Sequence, residues 1–303
     1  MNLPSPLRLH KSEIAANFFE PDMSESLLVL CLQSLSHGWG MLINTFEDLE
    51  PHHLSHFRSL TGKPIWSIGP VLPPSFAGKA GRGKMADISE DELVPWLDSQ
   101  RPRSVVYVSF GSHAFLSKRQ TVALARGLEA SGQPFVWAIK VTPKLEPSTA
   151  DSAADGIQSH FPDGFEERMK NKGLGLIIWG WAPQLLILSH PSVGAFMTHC
   201  GWNSTLESIT LGVPLITWPM SGDQNFNSKQ VAEQFGIGIQ FCQHRDGIPD
   251  EKRVKEVVRL VLTEDEGEEM RRRAKKLKEM TSKAVGEGGS SKVNLQAFVS
   301  EMS

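Results

Sequence analysis

Phe196-Met197-Thr198-His199-Cys200-Gly201-Trp202-Asn203-Ser204 is the stretch on which the fold turns. Four apolar residues from Val193 to Met197, interrupted by Gly194, make a short strand, and a tight turn follows at His199 to Gly201. Asn203 and Ser204 then open a helix. Gly201 has no side chain to hold a ligand off, so the backbone can approach one closely. Free N–H groups and the helix dipole at such a terminus favour an anion, and a phosphate fits the place. Taken alone, Asn203 or Ser204 reads more often as a simple helix cap.

Working outward, the same rhythm repeats on both sides. Val105 to Val108, Phe135 to Ile139, Leu176 to Trp179, Val193 to Met197, Leu215 to Trp218 and Ile237 to Phe241 read as strands. Helical segments occupy Lys118 to Ala130 and about 184–190, 203–211 and 225–235. Short apolar strands alternating with helices imply parallel pairing with both faces of the sheet covered. Right-handed crossovers then produce an α/β, doubly wound, Rossmann-like domain over residues 104–285.

Other segments break that rhythm. Residues 1–76 hold two further strand candidates, Met41 to Thr45 and Pro64 to Ile68, after a helix over Ser24 to Ser36. That is too little for an independent Rossmann domain, and it reads as the tail end of one. Residues 77–103 read as linker and domain entry, with small and basic residues from Ala77 to Met85, and 141–160 as a mobile surface loop. Glu264 to Val285 forms a charged helix with a narrow stripe of Met270, Ala274, Leu277 and Met280, and 286–303 is a terminal tail or helix.

Bulk properties exclude several classes. The 303 residues are 40% hydrophobic and 21% charged, a soluble globular composition. A net charge of −3 offers no basic field for nucleic acid. Cys31, Cys200 and Cys242 are too few and scattered for a disulfide framework or a zinc site. Met1 to Phe19 lacks the apolar core of a signal peptide, and Leu27 to Leu32 is too short to span a bilayer. The expectation is a soluble cytoplasmic protein without metal or cofactor. Its oligomeric state is not legible.

The polar residues collect at one edge. Glu207 follows Asn203 by four positions and so projects from the same helix face one turn on. A carboxylate there can accept hydrogen bonds from a vicinal diol, as the acid of a dinucleotide fold does with ribose. Trp181, after a strand, offers a flat surface for a base. Asp223 and Gln224 open another helix after Leu215 to Trp218 and suit sugar hydroxyls. Each has a plainer alternative: Trp181 as core, His199 as a satisfied buried histidine, Glu207 as a solvated helix residue. Their common position after strands, where open α/β sheets bind ligands, points to a phosphate-bearing ligand of unspecified identity.

The forty-four residues from Trp181-Ala182-Pro183-Gln184 through His199-Cys200-Gly201-Trp202-Asn203-Ser204 to Asp223-Gln224 resemble the signature box of plant secondary-product glycosyltransferases, the plant family 1 UDP-glycosyltransferases. Glu207 and Pro214 match as well. Asn44-Thr45-Phe46-Glu47-Asp48-Leu49-Glu50-Pro51, Ile68-Gly69-Pro70-Val71 and Val108-Ser109-Phe110-Gly111-Ser112 look like landmarks of the same family, so the resemblance covers essentially the whole chain. It implies a GT-B type fold and a UDP-sugar donor. By that resemblance Trp181 stacks on uracil, the Ala182 backbone pairs with the base edge, and Gln184 lies near the ribose whose hydroxyls Glu207 holds. Ser112, His199, Asn203 and Ser204, with Gly201 at the turn, surround the diphosphate, and Trp202, Asp223 and Gln224 meet the sugar. Gln224 as the last residue of the box is the form associated with glucose. The implied reaction is an inverting, metal-independent transfer from UDP-glucose to a hydroxyl of a small lipophilic acceptor such as a flavonoid, terpenoid or phenolic, with UDP leaving towards the helix N-terminus.

Family members are longer, and in them an early histidine supported by an aspartate deprotonates the acceptor. The chain reads as beginning inside the N-terminal domain, beyond the segment that carries this base, so no catalytic base is assigned. His10 lacks the preceding strand that the family's histidine has, and His52 and His53 read as loop residues. Two functions therefore stand: a glucosyltransferase, or a donor-binding module without its base. The dinucleotide fingerprint of a dehydrogenase is not found.

Overall fold

The computed structural model describes residues 37–73, 85–112, 114–140, 161–242 and 247–303. The expectations placed on His10, Cys31, the Leu27 to Leu32 run, the helix over Ser24 to Ser36, the linker residues 77–84 and the loop 141–160 lie outside the described residues. In chain order the elements are β1 (Met41–Ile43), α1 (Pro51–Thr61), β2 (Ile65–Ser67), α2 (Glu90–Asp98), β3 (Val105–Ser109), α3 (Lys118–Ser131), β4 (Phe135–Ile139), α4 (Phe165–Asn171), β5 (Gly175–Trp179) and α5 (Gln184–Ser189). There follow β6 (Val193–Thr198), α6 (Trp202–Leu211), β7 (Leu215–Thr217), α7 (Gln224–Lys229), β8 (Gly238–Gln240), α8 (Glu251–Thr263), α9 (Asp265–Val285) and α10 (Ser290–Met302).

Six strands form one parallel sheet in the order β5-β4-β3-β6-β7-β8. Counted from β3, this is the doubly wound order 3-2-1-4-5-6, in which the chain runs outward in one direction, returns to the middle and runs outward in the other. The switch point lies between β3 and β6. All five residues of β3 and all six of β6 are buried, as strands covered on both faces must be. Their alternation sorts the core. Val106 and Val108 turn to one side with Leu124, Trp137, Val254 and Val258. Val105 and Tyr107 turn to the other with Phe196, Leu206, Ile209 and Ile187.

Local chemistry sets the helices that flank the sheet. Ser117 and Gln120 form a reciprocal capping box at the start of α3, with the Gln120 amide donating to Ser117 Oγ at 3.3 Å and the Ser117 amide to Gln120 Oε1 at 2.9 Å. Helix α8 carries Val254, Val257, Val258 and Val261 on one face, all fully buried. It approaches α3 at Gly127, where any side chain would collide with Val254.

Sequence periodicity located the sheet to within a residue or so at each strand end. It gave the stretch 225–235 as one helix, whereas α7 ends at Lys229 and a π turn over Gln230–Gln234 follows, closed by the Phe235 amide on the Gln230 carbonyl at 2.9 Å. Helices α1, α2, α4 and α8 are additions. Pro95 inside α2 masks that helix in the sequence, although Leu93 and Leu97 from it are fully buried.

The first two strands pair with each other in parallel, Met41 opposite Ile65, and not with the main sheet. The last helix packs on the second of them. Asn294 Nδ2 in α10 donates to the Ser67 carbonyl and to Ser67 Oγ, each at 3.0 Å, Ser291 Oγ donates to the Gly69 carbonyl, and Phe298 packs edge-on against Trp66. Beneath them Glu47 accepts from both terminal nitrogens of Arg58 and from Ser67 Oγ. The Arg58 guanidinium holds the Glu47 carboxyl below its usual range. Among the described residues no helix is long and apolar enough to cross a membrane.

Candidate donor site at the switch point

Where β3 and β6 leave the sheet in opposite directions, a crevice opens at their carboxyl ends. Gly111, one residue beyond Phe110 after β3, has φ +74°, and Cys200 after β6 has φ +62°, a value rare for a residue with a side chain. Between the two turns lies the His199 imidazole. A methyl on Gly111 would stand 2.6 Å from its Cε1 and Nε2, and one on Gly201 would stand 2.6 Å from Nε2. Two glycines thus leave room for one histidine ring at the switch point, a requirement the sequence does not display.

Helix α6 begins immediately after this turn, with Gly201 as its N-cap and no side-chain cap. No acidic residue occupies its first turn. The amides of the first turn and the dipole therefore face outward from this turn with no carboxylate in the helix's own first turn. Asn203 is exposed and Ser204 half-buried at this end, as the sequence reading placed them. Ser112, after β3, is exposed, and its carbonyl accepts from Lys140 Nζ.

One turn into α6, Glu207 is buried, only 6% exposed. The solvated alternative for this residue is excluded. Gln184 Nε2, at the start of α5, donates to Glu207 Oε2 at 2.6 Å and to Ser204 Oγ at 3.1 Å. Tyr107 OH from β3 donates to Gln184 Oε1 at 3.3 Å. Burial, and secondarily the Glu207 charge, push the Tyr107 phenol up, so it remains a donor. Gln184, Ser204 and Glu207, all within the signature segment, are therefore one hydrogen-bonded cluster. Tyr107 was missed because it lies inside an apolar strand run.

Trp181 is half-buried and lies two residues beyond β5. Its backbone is held by Asp87, another residue the sequence did not single out. The Trp181 amide donates to Asp87 Oδ2 at 2.6 Å, and the Asp87 amide donates to the Trp181 carbonyl at 2.8 Å. Gly180, at φ +121°, makes the approach possible, because a methyl there would collide with the Asp87 carboxylate. Asp87→Ala removes the charged acceptor and frees the loop. The expected result is about a tenfold loss of affinity for a base-bearing ligand with little change for pyrophosphate, read by calorimetric titration of both.

On the far side of the crevice Asp223 caps α7 and Gln224 opens it. Gln224 Oε1 accepts from the amides of Met220 and Ser221, each at 2.8 Å, which leaves Nε2 as its outward group. Asn227 Nδ2 donates both to Asp223 Oδ2 and to the Cys200 carbonyl at 2.9 Å, tying this helix to the strained turn. Asn227 stands four residues after Asp223, a helical spacing that is the one sequence signal for it. Burial pushes the Cys200 thiol up, so it is no nucleophile. The Trp202 indole nitrogen is committed to the Asn44 carbonyl at 2.8 Å, so what Trp202 offers a ligand is its backbone and ring. Among the described residues no group of three or more His, Cys, Asp or Glu side chains could hold a metal ion.

Comparison with known proteins agrees with this arrangement. Residues 65–258 match the family model described as "UDP-glucoronosyl and UDP-glucosyl transferase". The chain is 39% identical to a UDP-glucose flavonoid 3-O-glucosyltransferase of Fragaria ananassa, over 99% of this chain and 62% of that protein. It is 40% identical to the scopoletin glucosyltransferase of Nicotiana tabacum, over 100% of this chain and 62% of that one. Among solved structures, it superposes on a Medicago truncatula glycosyltransferase complexed with UDP-glucose with a TM-score of 0.84, at 27% identity and over 99% of this chain and 62% of that one. A Phytolacca americana enzyme complexed with UDP-2-fluoro-glucose and pterostilbene gives 0.82, at 30% identity over 99% and 62%. The chain spans about 62% of the length of these relatives. With a six-stranded parallel sheet in doubly wound order and GT-B enzymes as its structural neighbours, the chain belongs to the plant family 1 UDP-glycosyltransferases.

Proposed function

We propose that the chain binds UDP-glucose at the switch point and that the protein transfers glucose, with inversion and without a metal, to a hydroxyl of a small lipophilic plant metabolite in the cytoplasm. The observation that carries this reading is the uncapped start of α6 with the buried Glu207–Gln184 pair one turn behind it. Such a terminus receives a diphosphate, and a buried carboxylate at that depth accepts from ribose hydroxyls. Trp181 then lies over uracil, with the Ala182 backbone at the base edge. His199, Asn203, Ser204 and Ser112 take the phosphates, and Trp202, Asp223 and Gln224 take the glucose. Glucosyl donors and phenolic acceptors named for the relatives support the substrate classes.

Titration of the purified 303-residue chain with UDP and UDP-glucose, alongside a turnover assay on mixed phenols, tests the proposal. Micromolar binding of both nucleotides, lost in Trp181→Ala, is the expected result. Turnover places the deprotonating group within this chain, whereas binding without turnover restricts it to the donor half of the reaction. A folded chain that binds neither nucleotide overturns the donor site itself.

A further inference from the structure

Asn44 lies beyond β1, 159 residues from Asn203 in sequence, yet the two side chains meet. Their amides have a fixed polarity. The Val71 amide, which can only donate, donates to Asn44 Oδ1 at 2.8 Å. Asn44 must therefore turn Nδ2 the other way, and it donates to Asn203 Oδ1 at 3.1 Å. With its oxygen so engaged, Asn203 has only Nδ2 left for the crevice. Gly69 permits the arrangement, since a methyl on it would stand 2.5 Å from Asn44 Oδ1. The Asn44 backbone is anchored separately, through its carbonyl and the Trp202 indole.

An amide beside an anion site can help or harm. Presented by nitrogen it donates to a phosphate oxygen; presented by oxygen it sets a partial negative charge against one. We infer that Asn44 is a positioning residue for the donor diphosphate: a relay from the Val71 amide through Asn44 fixes which end of the Asn203 amide the phosphate meets. The inference rests on the donor-site reading above and adds to it a determinant from outside the six-stranded sheet. It also makes the β1–β2 segment part of the anion site, although none of its own side chains need touch the ligand.

The test is a double-mutant cycle on the full chain, read as UDP affinity by calorimetry. Asn44→Asp is nearly isosteric and keeps the acceptor for Val71, so it preserves the fold while reversing the polarity: an acidic side chain can only accept from Asn203 and turns the Asn203 oxygen to the crevice. Asn44→Ala removes the relay without adding charge. The expected losses are about tenfold for Asn44→Ala and more for Asn44→Asp; in an Asn203→Ala background the first shrinks to near nothing and the second to the direct repulsion of the added charge. If Asn44→Ala costs as much in that background as it does with Asn203 intact, the effect does not pass through Asn203 and the inference fails. It fails too if wild type binds UDP and Asn44→Ala binds equally well. Absence of UDP binding by wild type instead removes the donor-site reading beneath it.

Discussion

Glu207→Ala lowers UDP affinity by about a hundredfold, and the loss disappears when the ligand lacks its ribose hydroxyls. The magnitude follows from what the substitution leaves behind. Glu207 is buried and accepts from Gln184 at 2.6 Å, so the alanine variant loses a charged acceptor and leaves the Gln184 amide with Ser204 Oγ alone. A hydrogen bond to a buried charged group contributes about 1.5–3 kcal/mol, and in the proposed donor site the ribose diol supplies such a bond to this carboxylate. Glu207→Gln keeps the volume but brings an N–H against the Gln184 amide, so it recovers little. Titration with UDP and 2′,3′-dideoxy-UDP separates the roles. A loss equal for both ligands assigns Glu207 to the fold of the loop and not to the ribose.

The second large effect comes from a methyl group. Gly111→Ala places a Cβ 2.6 Å from two atoms of the His199 ring, at a backbone φ of +74° that alanine adopts at a cost of about 1 kcal/mol. A methyl on Gly201 would meet the same Nε2 edge of the ring at 2.6 Å, so both turns close on that edge. The imidazole must therefore shift, which disturbs the phosphate contacts of the proposed donor site. Affinity for UDP is expected to fall by about a hundredfold, while the melting temperature drops by only a few degrees. The pattern matters more than either number: an equal affinity with a lowered melting temperature means that the His199 position is structural alone.

Sequence reading reached the sheet because each strand is apolar on both faces and each crossover helix has its own period. It singled out Trp181, Asn203, Ser204, Glu207, Asp223 and Gln224 because all follow strands at one edge, and Gln184 through the resemblance of the segment to a family signature. What it could not see were partners supplied from far along the chain. Asp87 was hidden in a stretch that reads as linker, Tyr107 in an apolar run, and Asn44 in a landmark with no assigned role. Each acts through one or two hydrogen bonds that depend on tertiary proximity, and no local pattern encodes those. The wedge of Gly111, His199 and Gly201 belongs to the same class: three ordinary residues whose necessity is visible only when two turns meet.

The packing of α10 on β2 bears on how the molecule is made. Ser67 and Asn294 are 227 positions apart, so during synthesis Trp66 emerges long before Phe298 can cover it. The six-stranded sheet, whose strands run from Val105 to Gln240, has every neighbour it needs before then. The β1–β2 segment is thus translated well before the helix that packs on it, and through that interval it presents an aromatic edge without its Phe298 cover. Such an edge is the natural point of engagement for chaperones on the nascent chain, and the place where a slow or stalled ribosome exposes this protein to aggregation.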